Sequence, residues 1–302
     1  MNILTAFTGG TIGSLRRGGA ISPDGESASL LLGQYKKTNG AAHFTVAAPY
    51  TILSENLDIS HLKALRAFLK DELQKGYDGV IVCHGTDTLQ YTAAYLDFVF
   101  GAQNVPIALV TANYPLEDER SNGFANFEAA VALIKAGEKG VLVPYKNAED
   151  EFATVHRGTE VLPHLPLDDK LFSLFDNTYG TVKNGVFEKN PGYKENAFEN
   201  LSEHELSGKV LWLRPYPGIV YPEPDSDTKA VLLEGCHSGT LPTSNDDFIR
   251  FCRAAEQRGV PLYLTGSQPG FEYESKKLFA ELNILVLPPM SPIAAYIRLW
   301  LS

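Results

Sequence analysis

The chain has 302 residues, enough for two domains or one large one, and 44% of them are hydrophobic, as in ordinary globular proteins. The formal net charge is −10 at pH 7 and no basic run exceeds a pair, so we expect neither a nucleic acid nor an anionic membrane as a partner. The sequence shows no membrane span, no signal peptide and no disulfide framework, so its three cysteines predict a cytoplasmic protein with free thiols.

The first predicted element is an apolar strand at residues 2–7, and a glycine-rich turn with the sequence TGGTIG follows it. Glycine lets the backbone turn sharply and approach a ligand closely, and Thr11 lies inside this turn. The turn could be a nucleotide-binding loop, but it lacks the GxGxxG spacing and the Gly-Lys-Ser/Thr ending of phosphate-binding loops. Residues 14–26, rich in Gly, Ser and Arg, are predicted to form a mobile lid that closes over a ligand.

A second polar turn follows two further elements. A helix is predicted at residues 27–37 and a strand at 44–48, and the turn that contains Ser54 and Glu55 comes after them. Leucines at helical spacing then indicate an amphipathic helix that ends at Gly76.

The most informative stretch has the sequence VIVCHGTDT. Residues 79–83 are predicted to be a buried strand, and a helix at residues 89–100 follows the polar part of the stretch. In a parallel sheet such a turn lies at the carboxyl end of the strand, where open α/β folds bind ligands. Helix capping would explain one of the residues Thr86, Asp87 and Thr88, but not all three.

The remaining pattern predicts the fold class. The alternation of strands, turns and helices continues beyond the second turn, a hairpin is predicted within residues 154–187, and a second α/β unit follows a segment without clear periodicity. We therefore predict an α/β fold with a larger N-terminal parallel-sheet domain, which has helices on both faces, and a smaller C-terminal α/β domain. The predicted N-terminal domain spans residues 1–188, the linker 189–208 and the C-terminal domain 209–302.

Two threonine-bearing turns at the carboxyl ends of parallel strands suit amide hydrolysis. The reaction requires a nucleophile, a proton acceptor and hydrogen-bond donors for the oxyanion. Thr11 and Thr86 could supply the attacking oxygen and its activator, while Asp87 suits the binding of a cationic group. The sequence contains no CxxC, HxxxH or HExxH pattern, so we predict no metal and no other cofactor.

The motifs TGGTIG at residues 8–13 and HGTDT at residues 84–88, in this order and at this separation, resemble those of the bacterial-type L-asparaginases, a family that includes glutaminase-asparaginases. The resemblance implies hydrolysis of L-asparagine to L-aspartate and ammonia, and it leaves a glutaminase side activity open. It also implies a homodimer or homotetramer in which a neighbouring subunit completes each active site. Ser238 lies in the loop that would reach that neighbour.

The resemblance implies two catalytic threonines and reveals two departures. Thr11 would attack the substrate and form an acyl-enzyme, and Thr86 would be the second essential threonine. The family places a tyrosine on the loop after the first turn, but residues 12–34 contain none. The family also places a lysine beside the second threonine, and an alignment from Gly140 puts Arg157 there. Arginine keeps the charge but cannot pass on a proton, so the resemblance leaves the catalytic rate open.

The resemblance further implies which residues bind the substrate. Asp87 would bind the α-amino group of an amino-acid amide, and Ser54 and Glu55 match the turn that binds its α-carboxylate and α-amino ends. Gly85 would add a backbone donor, and the carbonyl group of Ala112 would face the side-chain amide.

A binding or regulatory protein on the same fold is the alternative interpretation. Such a protein would keep the amino-acid pocket and have weakened catalysis, consistent with the unmatched tyrosine and lysine. A nucleotide-binding protein would instead require a phosphate group at Gly9 and Gly10, and the missing glycine spacing argues against it.

Overall fold

The computed structural model of the chain describes residues 1–17, 20–23, 26–39, 42–195, 201, 208–268, 270 and 273–302. The chain divides into two compact units, Met1–Asn200 and Leu201–Ser302. Most of the predicted linker at residues 189–208 lies outside the described residues. None of the described helices is long and apolar enough to cross a membrane.

The first unit contains strands β1 to β10 and helices α1 to α4. The strands are β1 (Asn2–Phe7), β2 (Ser14–Arg17), β3 (Ala20–Pro23), β4 (His43–Ala47), β5 (Gly79–Cys83), β6 (Ile107–Val110), β7 (Val141–Tyr145), β8 (Ala153–Arg157), β9 (Gly180–Lys183) and β10 (Val186–Lys189). The helices are α1 (Glu26–Asn39), α2 (Ile59–Glu72), α3 (Leu89–Phe100) and α4 (Gly123–Ala136).

An eight-stranded sheet organises the first unit, in the order β10-β9-β8-β7-β6-β5-β1-β4. Five neighbouring strands are parallel, namely β4, β1, β5, β6 and β7. Strands β8, β9 and β10 pair antiparallel at the other edge of the sheet. Asn184 and Gly185 both have a positive φ, which suits the tight turn between β9 and β10. The α/β prediction is confirmed, and the sheet is mixed rather than wholly parallel.

Apolar side chains on both faces of β5 explain its central position. Ile81 and Cys83 belong to a core cluster that also contains residues of α1 and α4. Val80 and Val82 alternate with them along the strand, so they point to the opposite face, and they are equally buried. A strand that is apolar on both sides needs cover on both sides, and this is the pattern of parallel sheets in α/β proteins.

Strands β2 and β3 lie within residues 14–26, the segment that is predicted to form a lid. They pair antiparallel, with Ser14 opposite Pro23 and Arg17 opposite Ala20. The residues at 18, 19, 24 and 25, which complete the predicted segment, lie outside the described residues. The described backbone of this segment is therefore a two-stranded ribbon, which Gly and Ser composition does not exclude, and its role as a lid stays a prediction.

The second unit contains a four-stranded parallel sheet in the order β11-β12-β13-β14. Its elements are β11 (Lys209–Leu213), β12 (Thr228–Glu234), α5 (Asp246–Gln257), β13 (Leu262–Thr265), β14 (Ile284–Val286) and α6 (Pro292–Leu301). Ser291 caps α6, because its hydroxyl oxygen accepts a hydrogen bond from the N–H of Ala294. A 3-10 segment, Glu274–Leu278, precedes β14.

Arg157 forms a buried ion pair with Asp97 and therefore does not lie where the alignment placed it. Its Nη2 lies 2.8 Å from Asp97 Oδ1, and its Nε donates to Oδ2 over 3.0 Å. Strand β8 runs antiparallel to β7, so Arg157 pairs with Leu142 near the amino end of β7, next to Gly140. The predicted contact with Thr86, which follows the carboxyl end of β5, is wrong, because the sheet reverses direction at β8.

We expect Arg157→Ala to lower the free energy of unfolding by roughly 3–5 kcal/mol, because it leaves the carboxylate of Asp97 buried without its cation. Urea unfolding followed by circular dichroism measures the change. Arg120→Ala is the matched control, since the Arg120–Asp118 pair has an exposed guanidinium, and its midpoint should stay near that of the wild type. Equal loss of stability in both variants would contradict the assignment.

His156 is buried in the first unit and ties β8 to the segment that returns toward β9. Its Nδ1 lies 2.7 Å from the hydroxyl oxygen of Ser173, and only 1% of the side chain is exposed. Burial lowers the pKa of His156 to about 4. The same cause lowers the pKa of His84 to about 4. The folded protein therefore holds both rings neutral at acidities where an unfolded chain would protonate them.

This difference predicts the acid dependence of stability. The unfolded chain takes up the proton near the ordinary histidine pKa of about 6.5, so each ring makes the free energy of unfolding fall as the pH drops from there toward 4. The slope should reach about 1.4 kcal/mol per pH unit for each histidine. His156→Asn should remove the contribution of one histidine from the slope of the free energy of unfolding against pH. Urea titrations at several pH values measure this slope. An unchanged slope would show that His156 is not neutral in the folded state.

Candidate active site

The two predicted turns meet at the carboxyl edge of the sheet. Strands β1 and β5 are adjacent and parallel, with Phe7 opposite Cys83, so the turns that follow them start side by side. Thr8 donates two hydrogen bonds to the carbonyl oxygen of Cys83, from its N–H over 3.0 Å and from its hydroxyl over 2.9 Å. The structure therefore brings the turn that carries Thr11 against the turn that carries Thr86.

Two glycines make this contact possible. A Cβ atom built on Gly10 would lie 2.2 Å from the Cα of Gly85, a distance that no side chain can occupy. Gly10 also has a φ of 76°, in the region that favours glycine. Backbone packs directly on backbone here, so the first and second motifs fit together as one surface.

A third turn, which contains Ser54, fastens the other two. The Ser54 hydroxyl donates to Asp87 Oδ2 over 2.8 Å, and the hydroxyl of Thr88 donates to the carbonyl oxygen of Ser54 over 2.8 Å. Ile52 exchanges backbone hydrogen bonds with the first turn, because its N–H donates to Thr8 and its carbonyl oxygen accepts from Gly10. The predicted site residues Thr11, Ser54, Gly85, Thr86 and Asp87 are therefore carried by three turns in mutual contact.

The residues of these three turns differ in how much of each is exposed to solvent. Buried residues support the turns, and exposed ones can contact a ligand. Ser54 and Gly85 are buried, Thr11 and Thr86 are half-buried, and Asp87 is exposed. Glu55, the neighbour of Ser54, is also exposed. A carboxylate whose one oxygen is already oriented by a hydroxyl presents its other oxygen to solvent, and this arrangement suits the binding of an ammonium group.

A fourth turn, which contains Ala112, lies beside the second one. It follows β6, the parallel neighbour of β5, and the N–H of His84 donates to Val110 at the end of β6. Ala112 is fully buried, and the flanking backbone is held by two asparagines of the α4 region. Asn126 Nδ2 donates to the carbonyl oxygen of Thr111 over 2.9 Å, and Asn122 Oδ1 accepts from the N–H of Asn113 over 3.0 Å.

These two asparagines are the supporting residues that the sequence analysis missed. Asparagine favours positions other than helix interiors, so a buried Asn126 among the alanines of α4 was the available signal that a side chain there has a polar partner. Both side chains also bond to Lys146, at its backbone N–H and carbonyl oxygen. They connect the turn after β6 to the end of β7.

The described contacts of the threonine turns involve backbone and uncharged or acidic side chains. Among the described side chains, which do not include those of Arg16 and Arg17, no hydrogen bond or ion pair joins a lysine or arginine to Thr11, Thr86 or Asp87. The same described part of the chain contains no group of three or more His, Cys, Asp or Glu side chains that could hold a metal ion.

The turn of Ser238 belongs to the second unit. It follows β12 and is tight, since the N–H of Gly239 donates to Cys236 over 2.7 Å and the N–H of Cys236 donates to Thr240 over 2.9 Å. Cys236 is exposed and makes no disulfide. The contribution of Ser238 to a neighbouring subunit stays a prediction.

Two glycine- and threonine-bearing turns, fastened by a third turn that contains Ser54, lie at the carboxyl edge of a mostly parallel sheet and define an amidohydrolase-type α/β protein. A family model described as "Asparaginase, N-terminal" matches residues 2–163, more than half of the chain. The chain belongs to the asparaginase family. The resemblance inferred from the two motifs is thereby confirmed.

Solved structures confirm the fold over the whole chain. The thermostable L-asparaginase from Thermococcus kodakarensis matches with a TM-score of 0.79 and 21% identity, over 100% of this chain and 92% of that one. L-asparaginase I from Vibrio cholerae matches with a TM-score of 0.78 and 22% identity, over 99% and 91%. At such identities the likeness concerns the fold alone.

Curated relatives correct the predicted activity. A glutamyl-tRNA(Gln) amidotransferase subunit from Methanosphaera stadtmanae is 28% identical over 317 residues, which cover 99% of this chain and 71% of that protein. The corresponding proteins of Methanobrevibacter smithii and Sulfolobus acidocaldarius carry the same name and are 27% and 28% identical. Their matches cover 99% and 83% of this chain, and 71% and 59% of their own length. The prediction of an L-asparagine hydrolase is therefore wrong, because these relatives have a different named function on the same fold.

The contact between Gly85 and Ser54 predicts a substitution that should disable the site. A Cβ atom on Gly85 would lie 2.4 Å from the Ser54 hydroxyl oxygen, so Gly85→Ala should displace Ser54 and break its hydrogen bond to Asp87. We expect amino-acid binding, measured by isothermal titration calorimetry, to weaken by about tenfold or more, since loss of one charge-assisted hydrogen bond costs about 1.5–3 kcal/mol. Gly33→Ala is the control, because a Cβ atom there meets nothing within 4 Å. Unchanged affinity in Gly85→Ala would contradict the role of this turn.

Proposed function

We propose that the chain is the ammonia-releasing component of an amidotransferase, and that it hydrolyses the side-chain amide of a free amino acid so that a partner protein can use the nitrogen. The names of the relatives support this, since they describe one subunit of a glutamyl-tRNA(Gln) amidotransferase. The observation that carries the proposal is the contact of the Thr11 turn with the Thr86 turn, beside the Ser54–Asp87 hydrogen bond.

Substrate binding would use the exposed carboxylate of Asp87. Its contact with Ser54 fixes the orientation of the carboxyl group, so the free oxygen can bind the α-ammonium group of an amino acid. Glu55 is exposed next to Ser54 and offers a second carboxylate for the same end of the substrate. The backbone of Gly85 would add a donor for the α-carboxylate. These contacts select a free amino acid rather than an amide within a peptide.

The reaction would proceed through an ester on Thr11. Its Oγ attacks the amide carbon and gives up its proton, while backbone N–H groups of the turns hold the oxyanion. The carbon–nitrogen bond then breaks, and the nitrogen takes up that proton and leaves as ammonia. A water molecule, positioned by Thr86, hydrolyses the ester to the acid and regenerates the Thr11 hydroxyl. The carbonyl group of Ala112 would face the departing nitrogen.

L-glutamine is the first amide to test. Its side chain is longer than that of L-asparagine, the substrate of the prediction that proved wrong. The formal net charge of −10 makes an RNA surface on this chain unfavourable, so any glutamyl-tRNA would be held by a partner protein. A homodimer or homotetramer with sites completed by a neighbouring subunit stays a prediction, testable by light scattering at micromolar concentration.

A second candidate function is an amino-acid-binding or regulatory protein on this fold. It is favoured by the separation of Arg157 from the threonine turns, since Arg157 is held by Asp97 at the other end of the sheet. The substrate-binding carboxylate and its supporting serine would then be present without a cationic group bonded to the second threonine.

We expect Thr11→Ala to reduce ammonia release from L-glutamine by on the order of 10³-fold or more, because the acyl-enzyme cannot form without the hydroxyl. A coupled glutamate dehydrogenase assay measures ammonia, and calorimetry with L-glutamate measures binding, which should persist. Thr181→Ala on β9, next to the edge strand β10 and far from the threonine turns in the strand order, is the matched control and should keep full activity.

The outcomes separate the two candidates. Full activity of Thr11→Ala would refute the nucleophile. Binding of L-glutamate or L-glutamine by the wild type without ammonia release would favour the binding protein. Absence of both binding and release would contradict both functions.

A further inference from the structure

The ring of His84 has two polar partners inside the first unit. Its Nδ1 lies 2.8 Å from the carbonyl oxygen of Gly85, and its Nε2 lies 2.9 Å from the hydroxyl oxygen of Thr92. Both side chains are buried, with 2% of His84 and none of Thr92 exposed. Thr92 lies in the first turn of α3, the helix that begins immediately after the HGTDT turn. Neither contact is required to form the strand or the helix.

These partners define which ring nitrogen carries the proton. A carbonyl oxygen only accepts hydrogen bonds, so Nδ1 must be the donor toward Gly85. Burial lowers the pKa of His84 to about 4, so the ring is neutral at pH 7 and Nε2 is a bare acceptor. Thr92 must then donate its hydroxyl proton to Nε2. The charged group that acts on the ring is the carboxylate of Asp87, which opposes the effect of burial.

The hydrogen bond to Gly85 orients the peptide that precedes Thr86. The described peptide bonds are trans, so the carbonyl oxygen of Gly85 and the N–H of Thr86 point in opposite directions. With the carbonyl oxygen held by the buried ring, the N–H is directed away from it. The N–H of Thr86 makes no hydrogen bond to the described backbone, which leaves it available to a ligand.

We propose that His84 is a positioning residue, which orients the Gly85–Thr86 peptide, and with it the Thr86 hydroxyl, through one neutral tautomer that the Gly85 carbonyl group selects and the Thr92 hydroxyl stabilises. The inference rests on the proposed function for its catalytic consequence, and on the contacts of the ring for its structural content. A histidine that served only to fill space would need neither partner, and a leucine of similar size would replace it without loss.

The test compares two substitutions of His84 that differ in hydrogen bonding. His84→Asn keeps a short side chain whose amide N–H can donate to the Gly85 carbonyl oxygen, whereas His84→Leu fills the space and donates nothing. We expect His84→Leu to lower kcat for ammonia release from L-glutamine by on the order of 100-fold with little change in KM, as misplacement of a reacting group does. His84→Asn should restore kcat to within about tenfold of the wild type.

A second pair of variants examines the tautomer. Thr92→Ser keeps the hydroxyl and should keep kcat, while Thr92→Val removes it at constant shape and should lower kcat in the same direction as His84→Leu. Nitrogen NMR of histidine-labelled protein reads the protonated ring nitrogen directly, without any need for turnover. We expect a His84 signal with the proton on Nδ1 in the wild type.

The results discriminate the inference from the proposed function. Equal kcat in His84→Asn and His84→Leu, in an active wild type, would overturn the inference alone, and so would a proton on Nε2. A wild type that releases no ammonia but shows the Nδ1 proton would refute the proposed function and retain the orientation of the peptide.

Discussion

The contact of the Gly10 backbone with the Gly85 backbone is the constraint on which the rest of the site depends. The two strands that lead into it, β1 and β5, are neighbours in the sheet, but adjacency alone leaves room for side chains between the following turns. Because neither glycine carries a Cβ atom, the two turns can pack backbone against backbone. A Cβ atom on Gly10 would lie only 2.2 Å from the Cα atom of Gly85. Ser54 can then reach Asp87, and the threonines of both motifs share one edge of the sheet.

Buried polar side chains maintain this geometry from below. Asn122 and Asn126 form hydrogen bonds with the backbone of the turn after β6, and His84 forms one with the carbonyl group of Gly85. A buried donor or acceptor that loses its partner costs roughly 1–3 kcal/mol, so these contacts penalise any other register of the turns. Neutral hydrogen bonds therefore support the buried part of the site, whereas the buried ion pair of Arg157 and Asp97 stabilises the opposite end of the same sheet.

Local sequence patterns predicted the strand–turn–helix units and the two threonine turns, because hydrophobic period and glycine placement are local signals. The position of Arg157 could not be predicted in this way. It depends on the direction of β8 relative to β7, and a reversal at one strand moves a residue from one end of the sheet to the other. The Asn126 and Ser54 contacts likewise join residues distant in sequence. The activity was misassigned because one fold can carry several functions, so motifs that indicate the fold do not by themselves indicate the substrate.

The segment between β8 and β9 has a consequence for the release of product. The Tyr145 hydroxyl donates to the carbonyl oxygen of Asp169 over 2.7 Å, which fixes this segment beside the end of β7. Burial lowers the pKa of His164, a residue of the segment, and the charges of Asp87, Asp168 and Asp169 all act on its ring in the opposite direction. The edge that would bind a neutral amide is thus rimmed by carboxylates. Under the proposed function, hydrolysis would turn that amide into an anion, which the rim would repel, and the completed reaction would promote the departure of its own product.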